Sequence, residues 1–168
     1  LFIGYDTYKS GQNLGKHLSE RVYKGNFIVL KGDKGDFNTH FLYNGANKYI
    51  EPMVGTGVNV ILNDYVPGWS ADTAKEMVKK AVIANDMKLD AVLCPNDGLA
   101  GGAAAAVQEL GLKNHVIIVG MDAELAAVKR LVAGTQDATV YMDLKNMASA
   151  AVDQAVALAK GEKVTANS

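Results

Sequence analysis

The run Ala91-Val92-Leu93-Cys94-Pro95-Asn96-Asp97-Gly98-Leu99-Ala100-Gly101-Gly102-Ala103-Ala104-Ala105-Ala106 decides the architecture. Its first four residues are apolar without alternation, the mark of a strand covered on both faces. A three-residue polar break follows, then an Ala-rich stretch that reads as a helix from Asp97 to Leu110, closed by Gly111. Asp97 is the expected cap of that helix. A doubly buried strand that feeds straight into a helix is half of a parallel crossover unit.

The same alternation extends in both directions. Toward the amino terminus, Leu1–Tyr5 reads as a strand and Tyr8–Tyr23 as a helix, with Leu14, Leu18 and Val22 four residues apart. Asn26–Leu30 is a strand, and Asn38–Met53 a helix with Leu42, Ala46 and Ile50 on one face, ended by Pro52 and Gly55. Val58–Leu62 is the next strand. Ser70 caps a helix through Ala84, with Met77, Ala81 and Ala84 expected inward. Toward the carboxyl terminus follow a strand at Val116–Val119, a helix at Ala123–Val132 closed by Gly134, a strand at Thr139–Tyr141, and a helix at Leu144–Lys160 stopped by Gly161. Strand and helix in strict succession imply an α/β fold, a parallel sheet with helices on both faces.

Composition sets the outer bounds. The 168 residues suit about one domain, and 49% apolar content supplies a core that needs no disulfide or metal. Net charge is −1 with Lys and Arg scattered, so nothing marks a nucleic-acid or membrane-surface partner. The single cysteine, Cys94, reads as a small buried hydrophobe. The chain starts at Leu1 without an initiator Met, which reads as trimming from a longer precursor.

In open parallel sheets, ligands bind beyond the carboxyl ends of the strands. The residues there are Asp6 and Thr7; Asp33, Asp36 and Asn38; Asp64 and Trp69; Asn96 and Asp97; and Asp122. Carboxylates accept from hydroxyls, amides both accept from and donate to them, and an indole covers a C–H face. That chemistry suits a sugar. No Ser sits on a strand-to-helix elbow with a His partner, no Cys/His spacing suits a metal, and neither glycine-rich phosphate motif occurs. His17 and His115 are expected on the surface, and Gly101-Gly102 is expected to let a helix approach the sheet. Neither catalysis nor a cofactor is expected.

Asp36-Phe37-Asn38, Pro67-Gly68-Trp69, Pro95-Asn96-Asp97 with Ala100-Gly101-Gly102, and Gly120-Met121-Asp122-Ala123 with Gly134-Thr135-Gln136 together resemble the D-xylose-binding and multiple-sugar-binding proteins of the type I periplasmic-binding-protein family. The resemblance runs over nearly the whole chain. It implies one lobe of a two-lobed, Rossmann-like, hinged fold that closes on a monosaccharide such as xylose and delivers it to an ABC transporter permease or a membrane sensor kinase. It implies a periplasmic or extracellular, membrane-associated location. By the same resemblance the sugar ligands fall on Asp36, Asn38, Asn96 and Asp122, which would bond hydroxyls, and on Trp69, which would stack on the ring. His40 and Met142 are secondary candidates. Met142 stands where the family carries a Lys, so one sugar oxygen loses a donor there, and Lys145 is the nearest basic residue in sequence.

The resemblance also divides the chain. Residues 1–141 would form the carboxy-terminal, sugar-binding lobe, with the Leu1 strand and Thr139–Tyr141 at hinge crossings. Residues 142–168 would form a helix and tail that pack on an amino-terminal lobe absent from the chain. The stripe Leu144, Met147, Ala151, Ala155 and Leu158 would then either fold back on its own lobe or pair in a homodimer. The rival reading is the effector-binding domain of a LacI-type transcriptional regulator, which uses the same two-lobed fold behind a helix-turn-helix module. A sugar-modifying enzyme is a third reading, and the lack of an acid/base pair counts against it.

Overall fold

The computed structural model describes residues 3–164. It divides into two units, 7–141 and a smaller one formed by the chain's ends, up to Asp6 and from Met142.

In the larger unit the order is α1 (Thr7–Arg21), β1 (Gly25–Lys31), α2 (Phe37–Ile50), β2 (Val58–Tyr65), α3 (Ala71–Ala84), β3 (Ala91–Leu93), α4 (Asp97–Leu110), β4 (Ile117–Met121), α5 (Leu125–Ala133) and β5 (Ala138–Val140). Among the described residues the strands form one parallel sheet in the order β2-β1-β3-β4-β5. The chain reverses direction across the sheet after β2, so the ends of β1 and β3 flank a topological switch point, the place where open parallel sheets bind ligands.

The sheet alternates its side chains between two cores. Phe27, Val29, Ala91, Leu93 and Val119 pack with Leu14 and Leu18 of α1 and Leu42, Ala46 and Ile50 of α2. Ile28, Leu30, Val92, Cys94 and Ile118 pack on the opposite face with Ala74, Val78 and Val82 of α3 and Leu99, Ala100, Ala103 and Ala106 of α4. A strand with both faces covered has no polar face, which is why these segments are apolar without alternation.

Several expectations need correction. Leu1 and Phe2 lie outside the described residues, and Ile3–Tyr5 is not in a strand. The buried stripe of α3 is Ala74, Val78 and Val82; Met77 and Ala81 only flank the core, and Ala84 is exposed. Both stripes have helical spacing, and the crossing against α4 selects the one carrying the β-branched pair. Pro52 ends α2 as foreseen, but by tightening the chain into a 3-10 turn, Glu51–Met53. Gly102 serves helix–helix rather than helix–sheet contact, since a Cβ there would lie 2.2 Å from the Ala71 carbonyl oxygen at the start of α3.

The smaller unit contains α6 (Leu144–Ala159), capped by Asp143, whose carboxylate accepts from the Asn146 backbone N–H at 3.1 Å. The Tyr5 hydroxyl donates to the Asp143 carbonyl. No described residue of α6 is buried, and Leu144 and Leu158 are more than half exposed.

Candidate functional site

The polar residues singled out at the strand ends of the larger unit occupy its carboxyl edge, and local backbone geometry places each of them. Asp36 precedes α2 in an extended conformation and caps it, accepting from the Asn38 N–H at 2.8 Å. One carboxylate oxygen is thereby spent on the helix. Asn38 is exposed on the first turn, where its carbonyl oxygen accepts from the Thr7 hydroxyl at 3.2 Å. His40, two residues on, is exposed, 3.3 Å from the Lys34 carbonyl and edge-on to Tyr65.

Trp69 sits on a tight 3-10 turn, Pro67–Trp69, between β2 and α3. Gly68 and Trp69 both have left-handed backbones, with φ of 61° and 53°. Asp33 holds this turn: one carboxylate oxygen accepts from the Gly68 N–H at 2.7 Å and the other from the Gly35 N–H at 2.8 Å. These two bonds, Gly68 first, hold the Asp33 carboxyl below its ordinary range. Asp64, expected beyond its strand, lies within β2 on an exposed position and accepts from its neighbour's N–H.

At α4 the sequence expectation is reversed. Asn96, not Asp97, is the cap: its backbone is extended and its side-chain oxygen accepts from the Leu99 N–H at 2.9 Å. The amide's donor end takes no part in the cap. Asp97 is the first helical residue and is fully buried. One of its carboxylate oxygens accepts from Gln136 at 2.8 Å; the other accepts from the Thr139 hydroxyl at 2.8 Å and the Glu124 N–H at 3.1 Å. Arg130 closes the network, donating to the Asp97 carbonyl at 2.8 Å and to the Gln136 side-chain oxygen at 2.9 Å. Gln136, Thr139 and Arg130 were not legible as a set, since they lie 39, 42 and 33 residues from Asp97. The only signal was the Gly134-Thr135-Gln136 motif.

This network holds the turn that carries Asp122. Thr139 also accepts from the Ala123 N–H at 3.0 Å, so Asp97 and Thr139 grip consecutive backbone groups there. Asp122 and Ala123 have φ of 112° and 53°, conformations that cost on the order of 1–3 kcal/mol each and persist only where the surroundings impose them. Left-handed backbones occur also at Trp69, on the same edge, and at Asp86 and Met87, in the turn that precedes β3.

Desolvation, then the Asp97 and Glu124 carboxylates, push the Asp122 carboxyl up to about 6. It can therefore donate a hydrogen bond in mild acid and accept one at neutral pH. Folded Asp122 keeps its proton to about pH 6, whereas the unfolded chain releases it near 3.8. Its contribution to stability is whole below 3.8 and is lost as pH rises through about 6. Asp122→Asn should remove this dependence. The variant's urea midpoint should gain on the wild type's between pH 4 and pH 7, and a constant offset would contradict the assignment.

Met142 belongs to the smaller unit, where its carbonyl accepts from the Leu144 N–H. Of the remaining histidines, His115 is exposed and pairs with Asp137 at 2.7 Å. His17, expected on the surface, is partly buried, with an Nε2 that meets no partner; desolvation, then Arg21, lowers its pKa. Among the described residues no group of three or more His, Cys, Asp or Glu could hold a metal ion, and no helix is long and apolar enough to cross a membrane.

Comparison with known proteins follows this geometry. A family model described as a periplasmic binding protein domain matches residues 1–163. The chain is 35% identical over 168 residues to a D-xylose-binding periplasmic protein of Haemophilus influenzae, which covers 99% of this chain and 51% of that protein. It is 36% identical, with the same coverage, to the D-xylose-binding periplasmic protein of Escherichia coli. The chain thus spans about half the length of these curated relatives. Among solved structures, an ABC transporter solute-binding protein from Clostridium phytofermentans with bound β-D-glucose superposes with a TM-score of 0.89 at 30% identity, over 98% of this chain and 56% of that one.

Proposed function

The chain belongs to the periplasmic binding protein domain family, and from that membership we propose that its larger unit is the carboxy-terminal lobe of a two-lobed protein that binds an aldose, D-xylose or a close analogue. The observation that carries this reading is the convergence of Asp36, Asn38, Asn96, Asp122 and Trp69 on the carboxyl edge of one sheet. Three of the polar residues lie on helix-initiating or strained turns that hold the side chain at a set angle. Each keeps polar capacity beyond its structural bond, which is what a ring of sugar hydroxyls requires. Trp69 offers an apolar platform among them.

The complete protein would close a second lobe over the sugar and shield these hydrogen bonds from water. Residues 142–168 would pack on that lobe, and the exposed apolar side chains of α6 suit such a covering. The closed protein would act as a carrier for an ABC transporter permease or as the sensing partner of a membrane kinase, outside the cytoplasmic membrane. It needs no bond-making chemistry, since a carrier must release its sugar unchanged.

Calorimetry of the complete protein against D-xylose and other aldopyranoses tests this. Asn96→Ala and Asp122→Ala should each weaken binding about 10- to 100-fold, since each leaves sugar hydroxyls buried without partners at about 1–3 kcal/mol. Unchanged affinity in both variants would place the site elsewhere.

A further inference from the structure

The geometry points to Gly32 as a specificity-determining position: its missing side chain is the seat of the Trp69 indole and sets how deep that ring lies at the sugar edge. This rests on the proposed role of Trp69 as a sugar platform. Gly32 follows β1 and is buried. A Cβ there would lie 2.1 Å from Cη2 and 2.2 Å from Cζ2 of Trp69, and 2.5 Å from the Thr39 hydroxyl. The benzo half of the indole thus rests directly on the backbone at the end of β1.

Four further features bear on this seat. The indole packs against residues of both cores, so it is wedged across the end of the sheet rather than laid on one face. Asp33, the residue after Gly32, grips the Gly68 N–H, tying the two ends of the arrangement together. Thr39 is 1% exposed and its hydroxyl meets no partner, so a polar atom has been left beside the seat at a cost that packing alone would not favour. The turn bearing Trp69 has two consecutive left-handed residues and little room to adjust.

Carbon atoms attract best at about 3.5–4.0 Å, so a methyl group at position 32 would lift the indole by more than about 1 Å. The ring would then rise into the space where a pyranose face would rest, and its distance to the hydroxyl-binding side chains would change. Position 32 therefore sets the thickness of ligand admitted between Trp69 and the opposing lobe. Flat, equatorially substituted aldopyranoses should suffer least, and sugars with an axial substituent toward the indole most.

A double-mutant cycle in the complete protein, read by calorimetry against D-xylose and axially substituted aldopyranoses, tests the seat. Gly32→Ala should weaken xylose binding at least about tenfold and the axial sugars further. The cycle is run on a Thr39→Ala parent, which removes the hydroxyl that a Cβ at position 32 would also meet at 2.5 Å; there, in a Trp69→Phe background, whose ring lacks the benzo carbons that clash, the same substitution should change affinity less than about threefold. In the 168-residue chain taken by itself, whose one tryptophan is Trp69, the emission maximum should shift in Gly32→Ala without sugar. Equal losses in both backgrounds, or an unmoved emission maximum, would overturn the seat. If Gly32→Ala fails to fold, recovery of folding by Trp69→Phe in the double variant supports the seat, and no recovery overturns it. If Trp69→Phe alone leaves every affinity unchanged while Gly32→Ala shifts the emission, the platform role fails and the specificity claim with it.

Discussion

Asp97→Ala is expected to lower the unfolding free energy by about 3–5 kcal/mol, a third or more of what a domain of this size typically has. The carboxylate is fully buried and accepts three hydrogen bonds, from Gln136, Thr139 and the Glu124 backbone. Alanine leaves all three donors in a water-poor pocket, and hydrogen bonds to a charged acceptor are each worth about 1.5–3 kcal/mol, though not additively. Asp97→Asn keeps the shape but turns an NH2 toward those donors, so it should still cost about 2 kcal/mol. With a urea slope of about 1–3 kcal/mol/M, the alanine variant's midpoint should fall by about 2 M. A loss under about 1 kcal/mol would mean that water replaces the carboxylate and the network is dispensable. The same variant should also lose sugar affinity in the complete protein, because Asp97 and Thr139 hold the turn that presents Asp122.

The second large effect is a sign reversal. Gly→Ala inside a helix ordinarily stabilises by about 1 kcal/mol. Gly15→Ala and Gly45→Ala should instead destabilise by about 3 kcal/mol or more, because they overpack a contact that cannot open locally. Added Cβ atoms would lie 2.3 Å from the Ala46 carbonyl oxygen for Gly15 and 2.1 Å from the Tyr8 carbonyl oxygen for Gly45; Gly11 makes the matching approach to Leu42 at 2.2 Å. The neighbours are backbone atoms on both sides, so α1 and α2 must separate as bodies, which loosens Leu14, Leu18, Leu42 and Ile50 together. Thermal melts would read this, with the exposed α1 variant Asn13→Ala as a control that should be neutral or stabilising. Tolerance of Gly15→Ala would show that the helices have slack.

Much of the fold was legible because its signals are local. A strand covered on both faces must be apolar throughout, and Phe27–Leu30 and Ala91–Cys94 declare that within four residues each. Ser70 caps its helix as its side chain suggests, with the Thr73 N–H at 3.2 Å. The positions of Asp36, Asn38, Trp69, Asn96 and Asp122 beyond their strands could likewise be read from the chain, because strand ends and ligand edges coincide in this topology. Which residue performs which task could not. Asn96 and Asp97 are adjacent, both prefer cap positions, and their order on the helix is decided by one extended backbone. That Asp97 is buried follows only once β5 lies beside β4 and brings Gln136 and Thr139 to it. The three glycines between α1 and α2, and Gly32 under Trp69, look like ordinary small residues until two backbones, or a backbone and an indole, meet. Periodicity, caps and strand ends are properties of a few consecutive residues and so are written in the sequence. Buried networks and close approaches belong to pairs distant along the chain, and they exist only after the sheet order has chosen which pairs touch.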